Sequence, residues 1–238
     1  MAETATKSGV ALRLALACLL TAGAALAGPN DNSVDFRLLE LDSHYVKWGG
    51  HTLGTGAEIT YAVANETMRF EDTRNCGKLA PLDKLAARSN IAWATLEDEM
   101  KAAFRAWEAV ADLTFTAMED PTHANIVIGA QVHPTGRAFA NVTYAPGSKN
   151  GVKVIDQALV CLNPEQPWKV GFDGNTDVYD IRYTLVHEIG HTIGLDHPGP
   201  SGEVMSFRYE EAFRDLQPGD IRGVTKLYGA RTGRVAQH

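Results

Sequence analysis

From Thr95 onward the apolar residues Leu96, Met100, Phe104, Trp107 and Val110 recur at spacings of four, four, three and three. That is the period of one helix face. Thr95 offers an N-cap, and Glu97, Asp98 and Glu99 put negative charge at the positive end of the helix dipole. Around this helix the pattern shortens to β-type runs at 58–64, 113–117, 125–128 and 138–144, the last bracketed by Gly136 and Pro146-Gly147, with a further short strand over 157–162. Helical periodicity returns at Ile181, Leu185, Val186 and Ile189, with Asp177 or Asp180 available as the cap. A last helix is announced by Leu216-Gln217-Pro218-Gly219-Asp220, carries Ile221, Val224 and Leu227 on one side, and stops at Gly229. Strands first, with helices between and after, predict an α+β domain. Residues 28–56 are mixed and glycine-rich toward their end, and read as an irregular arm leading into the first strand.

The N-terminus reads as an address. Lys7 and Arg13 lead into an apolar stretch over 14–26 that closes with Ala25-Leu26-Ala27 before Gly28, the three parts of a secretory signal peptide. The stretch is shorter than the roughly 20 residues a membrane span needs, so the expectation is an exported protein, secreted or periplasmic, with no stable membrane anchor. The organisation expected is a signal peptide at 1–27, an N-terminal arm or short pro-segment at 28–56, one domain at 57–230 and a tail at 231–238. The formal net charge of -7, without a run of Lys or Arg, excludes a nucleic-acid binder, and 45% hydrophobic residues exclude a disordered chain. Of the 3 cysteines, Cys18 falls inside the signal, leaving Cys76 and Cys161. An oxidising compartment favours bridging the pair, with free buried thiols as the alternative.

The chemistry is concentrated between His187 and Met205. The string His187-Glu188-Ile189-Gly190-His191-Thr192-Ile193-Gly194-Leu195-Asp196-His197 has the form H-E-x-x-H-x-x-G-x-x-H. Residues four apart on a helix point the same way, so His187 and His191 can present both imidazoles to one metal ion. Glu188, one residue on, flanks the metal and is placed to take a proton from a zinc-activated water. Gly194 in a left-handed conformation would end the helix and turn the chain back, bringing His197 to the ion as third ligand. Three neutral imidazoles leave a fourth position open, as in catalytic rather than structural zinc sites. A chance match at all five fixed positions comes to roughly 5 in 100,000.

With these residues the sequence resembles the metzincin metallopeptidases, and within them the matrixins, whose eleven-residue motif is followed by a Met-turn. Met205 in Val204-Met205-Ser206 matches the turn methionine beneath the metal. Ala103-Phe104-Arg105-Ala106-Trp107 before Leu113-Thr114-Phe115 is similar to the family's first helix and second strand, and Asp220-Ile221 to Leu227-Tyr228-Gly229 to its closing helix. The resemblance implies a twisted, mixed five-stranded sheet with an antiparallel edge strand, an active-site helix, and a small C-terminal subdomain holding the Met-turn and final helix. It implies one catalytic Zn²⁺, a peptide or protein substrate, and an edge strand that pairs with the substrate backbone. The candidate strand is Arg137-Ala138-Phe139-Ala140-Asn141, with Ala138, Phe139 and Ala140 as substrate-binding residues and a blunted edge as the plain alternative. The function expected is a zinc-dependent endopeptidase acting as a monomer. The competing class is an exported zinc-containing binding or adhesion module without a usable cleft, against which the intact Glu188 argues.

This sequence also departs from the family. The tyrosine that several metzincins carry two residues after the turn methionine is Phe207 here, and Tyr209 is the candidate to stand in for it. The paired aspartates that open the last helix in matrixins are Gly219-Asp220, leaving Asp220 to brace the Met-turn. His123 and His133 read as surface histidines. Arg74-Asn75-Cys76-Gly77 is superficially similar to a matrixin cysteine switch, but it follows the first strand, so pairing with Cys161 is the better reading. Asp173-Gly174-Asn175-Thr176-Asp177 has oxygens at alternate positions, as a Ca²⁺ loop would, yet the rest of an EF-hand is missing and a polar turn capping the active-site helix is preferred.

Overall fold

Alternation of buried residues decides how the sheet is built. Residues 35–71, 73–74 and 76–231 are described in the computed structural model and belong to one compact unit; the expected signal peptide lies outside them. In chain order the strands are β1 Arg37–Leu38, β2 Glu40–Leu41, β3 His44–Lys47, β4 Ala57–Val63, β5 Met68–Arg69, β6 Lys78–Ala80, β7 Leu113–Ala117, β8 Ile126–Gln131, β9 Ala138–Tyr144, β10 Val152–Leu162, β11 Trp168–Lys169, β12 Tyr179–Asp180 and β13 Leu195–Asp196. The helices are α1 Asp83–Ser89, α2 Trp93–Val110, α3 Ile181–Thr192 and α4 Pro218–Tyr228, with a 3₁₀ turn at Pro121–His123.

The sheet has nine strands rather than the expected five: β7-β4-β8-β10-β9 form its mixed centre, with the first four parallel and β9 antiparallel to β10, and β2, β3, β5 and β6 extend it. Every residue of β8 is buried, as a parallel strand covered on both faces requires. Its Ile126 and Ile128 face the large core under α2 and α3, while Val127 faces a smaller cluster on the opposite side with Ala62, Leu79, Leu159 and Cys161. Cys76 reaches this smaller cluster and is bonded to Cys161, with the two Cα atoms 6.5 Å apart, so the bridge pins the segment before β6 to the sheet.

Two further sequence expectations change. The stretch read as an irregular arm contributes β1 to β3: β2 and β3 form a hairpin turning through Asp42 and Ser43, both at positive φ, and β3 runs parallel to the start of β10. Its short strands are too brief to show a period, and the strands that β1 and β3 join outside the hairpin lie more than 100 residues away. Helix α2 starts two residues before the expected Thr95 cap, at Trp93 after Ala92. The unforeseen helix α1 ends at Asn90 in a left-handed conformation and feeds directly into α2, so the junction and not a side-chain cap sets the start. Glu99, expected to complement the helix dipole, is buried between Arg182 and Arg214.

Helix α2 lays Leu96, Met100, Phe104 and Trp107 on the sheet, and the Trp107 indole donates to the Val186 carbonyl at 3.0 Å, tying α2 to α3. Asp180 caps α3 by accepting from the Tyr183 amide at 2.8 Å. Helix α4 opens with a reciprocal Gln217/Asp220 capping box and Pro218 in its first turn, and ends at Gly229, as the pattern predicts.

Candidate active site

Helix α3 carries His187 and His191 one turn apart, and the chain then reverses at Gly194, whose φ is +96°. A side chain at Gly194 would run into the Val46 carbonyl, so glycine is required by both conformation and space. The return stroke, β13, pairs with β1, where Arg37 meets Asp196 at 3.0 Å and the Leu39 amide donates to the Gly194 carbonyl at 2.8 Å. The N-terminal arm therefore sets the path that delivers His197.

The three Nε2 atoms converge: His187 to His197 3.1 Å, His191 to His197 3.1 Å, and His187 to His191 3.2 Å. Three nitrogens around one tetrahedral zinc ion at about 2.0–2.1 Å stand about 3.3 Å apart, so this donor set fits zinc. Hydrogen bonding orients two of the rings. His187 Nδ1 donates to the Val204 carbonyl at 2.7 Å and His191 Nδ1 to the Leu195 carbonyl at 2.9 Å, which leaves each Nε2 lone pair facing the shared point. Burial, reinforced by the neighbouring imidazoles, holds the pKa of His187 well below its usual value and that of His191 at about 4; burial lowers His197 as well. Neutral rings are the form a metal binds.

Met205 is buried, with its sulfur against the backbone of Gly190 in α3, where any Cβ would collide with it. The Asp220 carboxylate braces the turn as expected, accepting from Met205 N at 3.0 Å, Val204 N at 2.9 Å and Gln217 N at 2.8 Å. Val204 thus links Asp220 to His187 through its two backbone groups. Glu203 adds a second brace, absent from the sequence reading, by accepting from the first amides of α4, Gly219 at 3.0 Å and Asp220 at 3.2 Å.

Glu188 is buried, lines the same cleft as the histidines, and has its pKa pushed up to about 8 by that burial. The cleft, about 970 Å³, runs between β9 and the histidine cluster. Ala138, Phe139 and Ala140 lie on its wall, in register with Leu162, Cys161 and Val160 of β10. Their side chains alternate: Ala138 and Val142 face the main core, and Phe139 packs into the small cluster behind the sheet. What β9 offers along the cleft at Phe139 is consequently its backbone.

Tyr209 also lines the cleft, but its hydroxyl accepts from the Asp180 amide at 2.9 Å and donates to Glu211 at 2.7 Å. In the structure that oxygen is engaged by these two partners. Phe207 is 59% exposed with its ring 6.3 Å from that of His197. The loop at 173–177 is a polar turn. Lys169 binds Asp173 and the Asn175 carbonyl, and Glu211 accepts from the Asp173 and Gly174 amides. The α3 cap is Asp180 rather than a residue of this turn. His123 is exposed and pairs with Asp120 at 2.9 Å.

Sequence reasoning missed the bond network around Arg214. This guanidinium binds the Asp180 carboxylate at 2.7 and 3.0 Å and Glu99 at 3.0 Å, while Arg182 bonds both Glu99 oxygens. It staples the loop after the Met-turn to the start of α3. No motif carries Arg214, so only the fold reveals it.

The chain resembles several known metalloproteinases. It is 29% identical over 202 residues to metalloendoproteinase 1-MMP of Arabidopsis thaliana, covering 80% of this chain and 48% of that protein. It is 29% identical over 157 residues to the hatching enzyme of Paracentrotus lividus, covering 62% and 25%. With metalloendoproteinase 5-MMP of Arabidopsis thaliana the figures are 31% over 150 residues, 56% and 41%. The chain thus spans half or less of the length of these curated relatives. The matrixin (peptidase M10) family profile matches residues 84–229, which holds the three histidines, Glu188, Met205 and Asp220. On that match, covering well over half of its residues, the chain belongs to the matrixin family.

Proposed function

We propose that the protein is an exported zinc-dependent endopeptidase with His187, His191 and His197 as ligands and Glu188 as general base. The observation that carries this reading is the convergence of three neutral Nε2 atoms to within 3.1–3.2 Å at the floor of an open cleft, beside a buried carboxylate that no ion pair neutralises among the described residues. Zinc held there supplies Lewis acidity toward a scissile carbonyl and brings the pKa of a water down toward about 7.

The chain's own residues perform the remainder. The edge of β9 opposite β10, which pairs with no other strand among the described residues, receives an extended peptide by adding it as a strand, which holds the scissile bond over α3. Glu188 accepts the proton of the attacking water and passes it to the leaving amine. Asp220, through Val204, keeps the His187 ring in its binding tautomer. The relatives named as metalloendoproteinases support the same chemistry, and the apolar N-terminal stretch supports export.

The test is zinc content and cleavage of a mixed peptide library by the purified protein, with and without a chelator, beside Glu188→Gln. About one zinc per chain, chelator-sensitive cleavage, and a Glu188→Gln variant that keeps zinc but loses turnover are the expected results. Turnover retained in Glu188→Gln would remove Glu188 from its role, and absence of zinc would overturn the site.

A further inference from the structure

The cleft has a further wall, at the face of β9 turned away from α3, and a loop early in the chain builds it. Strands β5 and β6 form a hairpin whose loop, 70–77, is closed at its base by the Phe70 amide donating to the Gly77 carbonyl at 2.9 Å. Strand β6 joins the sheet beside β8. The loop is then fastened twice more. Cys76 is bonded to Cys161 of β10, and the Arg74 amide donates to the Asn141 side-chain oxygen of β9 at 3.2 Å. So held, the loop brings Glu71 and Arg74 to line the same cleft as the three histidines. It precedes residues 84–229 and lies outside the part of the chain that the matrixin match covers.

Strand geometry decides which substrate side chain meets this wall. Successive side chains of a strand point to opposite faces. In β9, Ala138 and Val142 face the core under α3, while Phe139 packs into the small cluster and the Asn141 amide nitrogen reaches the Cys161 sulfur at 3.8 Å on that same face. A peptide added along the edge of β9 opposite β10 obeys the same alternation, and residues directly opposite one another share a face. The peptide residue opposite Asn141 therefore turns its side chain away from α3 and toward Arg74, while its two neighbours face α3. Charge then defines the side chain. Arg74 is exposed, and its guanidinium makes no ion pair among the described residues. The carboxylates at this end of β9 already have donors: Asp42 accepts from Tyr144 and Lys153, and Asp156 accepts from the Thr143 hydroxyl at 2.8 Å. Glu71 is also exposed, but among the described residues it has no bond to β9 like the one that fixes Arg74 beside Asn141. A guanidinium fork fits a carboxylate with two parallel hydrogen bonds.

We propose that Arg74 is a specificity-determining residue whose guanidinium pairs with the carboxylate of a substrate Asp or Glu standing opposite Asn141 and pointing away from α3. The inference rests on the peptidase reading and on strand addition along β9, and binding tests it apart from turnover. Zinc-loaded Glu188→Gln protein is titrated calorimetrically, at low ionic strength, with peptides in which glutamate, glutamine or lysine is placed in turn at each position. At one position glutamate binds about fivefold more tightly than glutamine, the upper reach of an ion pair open to water, and lysine binds more weakly still. The two adjoining positions lack this order, and added salt shrinks the advantage. Arg74→Gln brings the ratio to about one, and Arg74→Glu turns the preference toward lysine. Neither variant melts lower than its parent, because the loop keeps its disulfide and its backbone bond to Asn141. No position that prefers glutamate, a preference that survives Arg74→Gln, the same preference at adjoining positions, or a preference for lysine that Glu71→Gln removes each overturns the assignment. Failure of the wild-type protein to cleave peptides that bind with the glutamate preference would instead refute the peptidase reading and leave Arg74 in its role.

Discussion

Asp220 bears more of the site than any residue outside the zinc motif, and replacing it separates bracing from catalysis. Its carboxylate is 1% exposed and accepts from three amides at 2.8–3.0 Å. A hydrogen bond to a charged group contributes about 1.5–3 kcal/mol, and a buried amide left without a partner costs about 1–3 kcal/mol. Against this stands the cost of burying the carboxylate, which pushes its pKa above the usual value in spite of the three donors. Taking the low end for three bonds and relieving part of that burial cost, Asp220→Ala should lose about 3–4 kcal/mol in urea unfolding of the zinc-free protein. The Met-turn loosens with it, and the Val204 carbonyl no longer holds His187 in place. Zinc affinity should then drop about 10–100-fold, the usual effect of removing a group that orients a ligand. Asp220→Asn keeps one acceptor oxygen but turns an amide donor toward the backbone amides, so it should fall between the two. The assay is paired urea titration and competitive zinc titration of the same preparations. An Asp220→Ala protein within 1 kcal/mol of wild type that binds zinc equally well would refute the bracing argument.

Other outcomes follow from the same contacts. Gly194→Ala faces both a positive φ and the Val46 carbonyl; it should cost about 2–4 kcal/mol and displace His197, so zinc bound per chain after dialysis should fall, and full occupancy would place the turn elsewhere. Lys47 is 0% exposed, donates to the Trp48 carbonyl at 2.7 Å, and has its pKa lowered by burial to about 8 from 10.5. The folded chain then binds fewer protons than the unfolded chain between pH 8 and 10.5, so stability from this group rises with pH across that window and its penalty is full below pH 8. Lys47→Met should therefore be more stable than wild type at pH 7 by up to about 3 kcal/mol and lose that advantage above the window; an advantage independent of pH would sink the assignment.

The parts of the protein legible in one dimension are those whose contacts are short-range. The α2 face, β7, β9 and the final helix each declare themselves in a run of neighbouring residues, and so does the zinc motif. The His187/His191 spacing is a helix repeat, the base follows directly, and Gly194 turns the chain only a few residues later. Asp220 was legible too, because it stands where the family's helix-opening pair stands. Helix α1 was missed because Asp83–Ser89 is one short element with only Leu85 and Ala86 buried, too little to show a period. The Thr95 cap was misplaced because propensity competes with the α1–α2 junction, and the junction wins.

What the sequence determined by itself is therefore the identity and spacing of the candidate site residues: three histidines and a glutamate whose relative placement is enforced within eleven residues by helix geometry and one glycine. The tertiary structure decided how that chemistry is held and what it can receive. His197 is delivered by a β1–β13 pairing that joins Arg37 to Asp196, the loop after the Met-turn is stapled by Arg214 to Glu99 and Asp180, and the Tyr183 hydroxyl has no partner among the described residues. Each of these depends on groups brought together across the chain or, for Tyr183, on a partner not brought at all. Hydrophobic periodicity reports which face of an element is buried, but not which distant polar group meets it there.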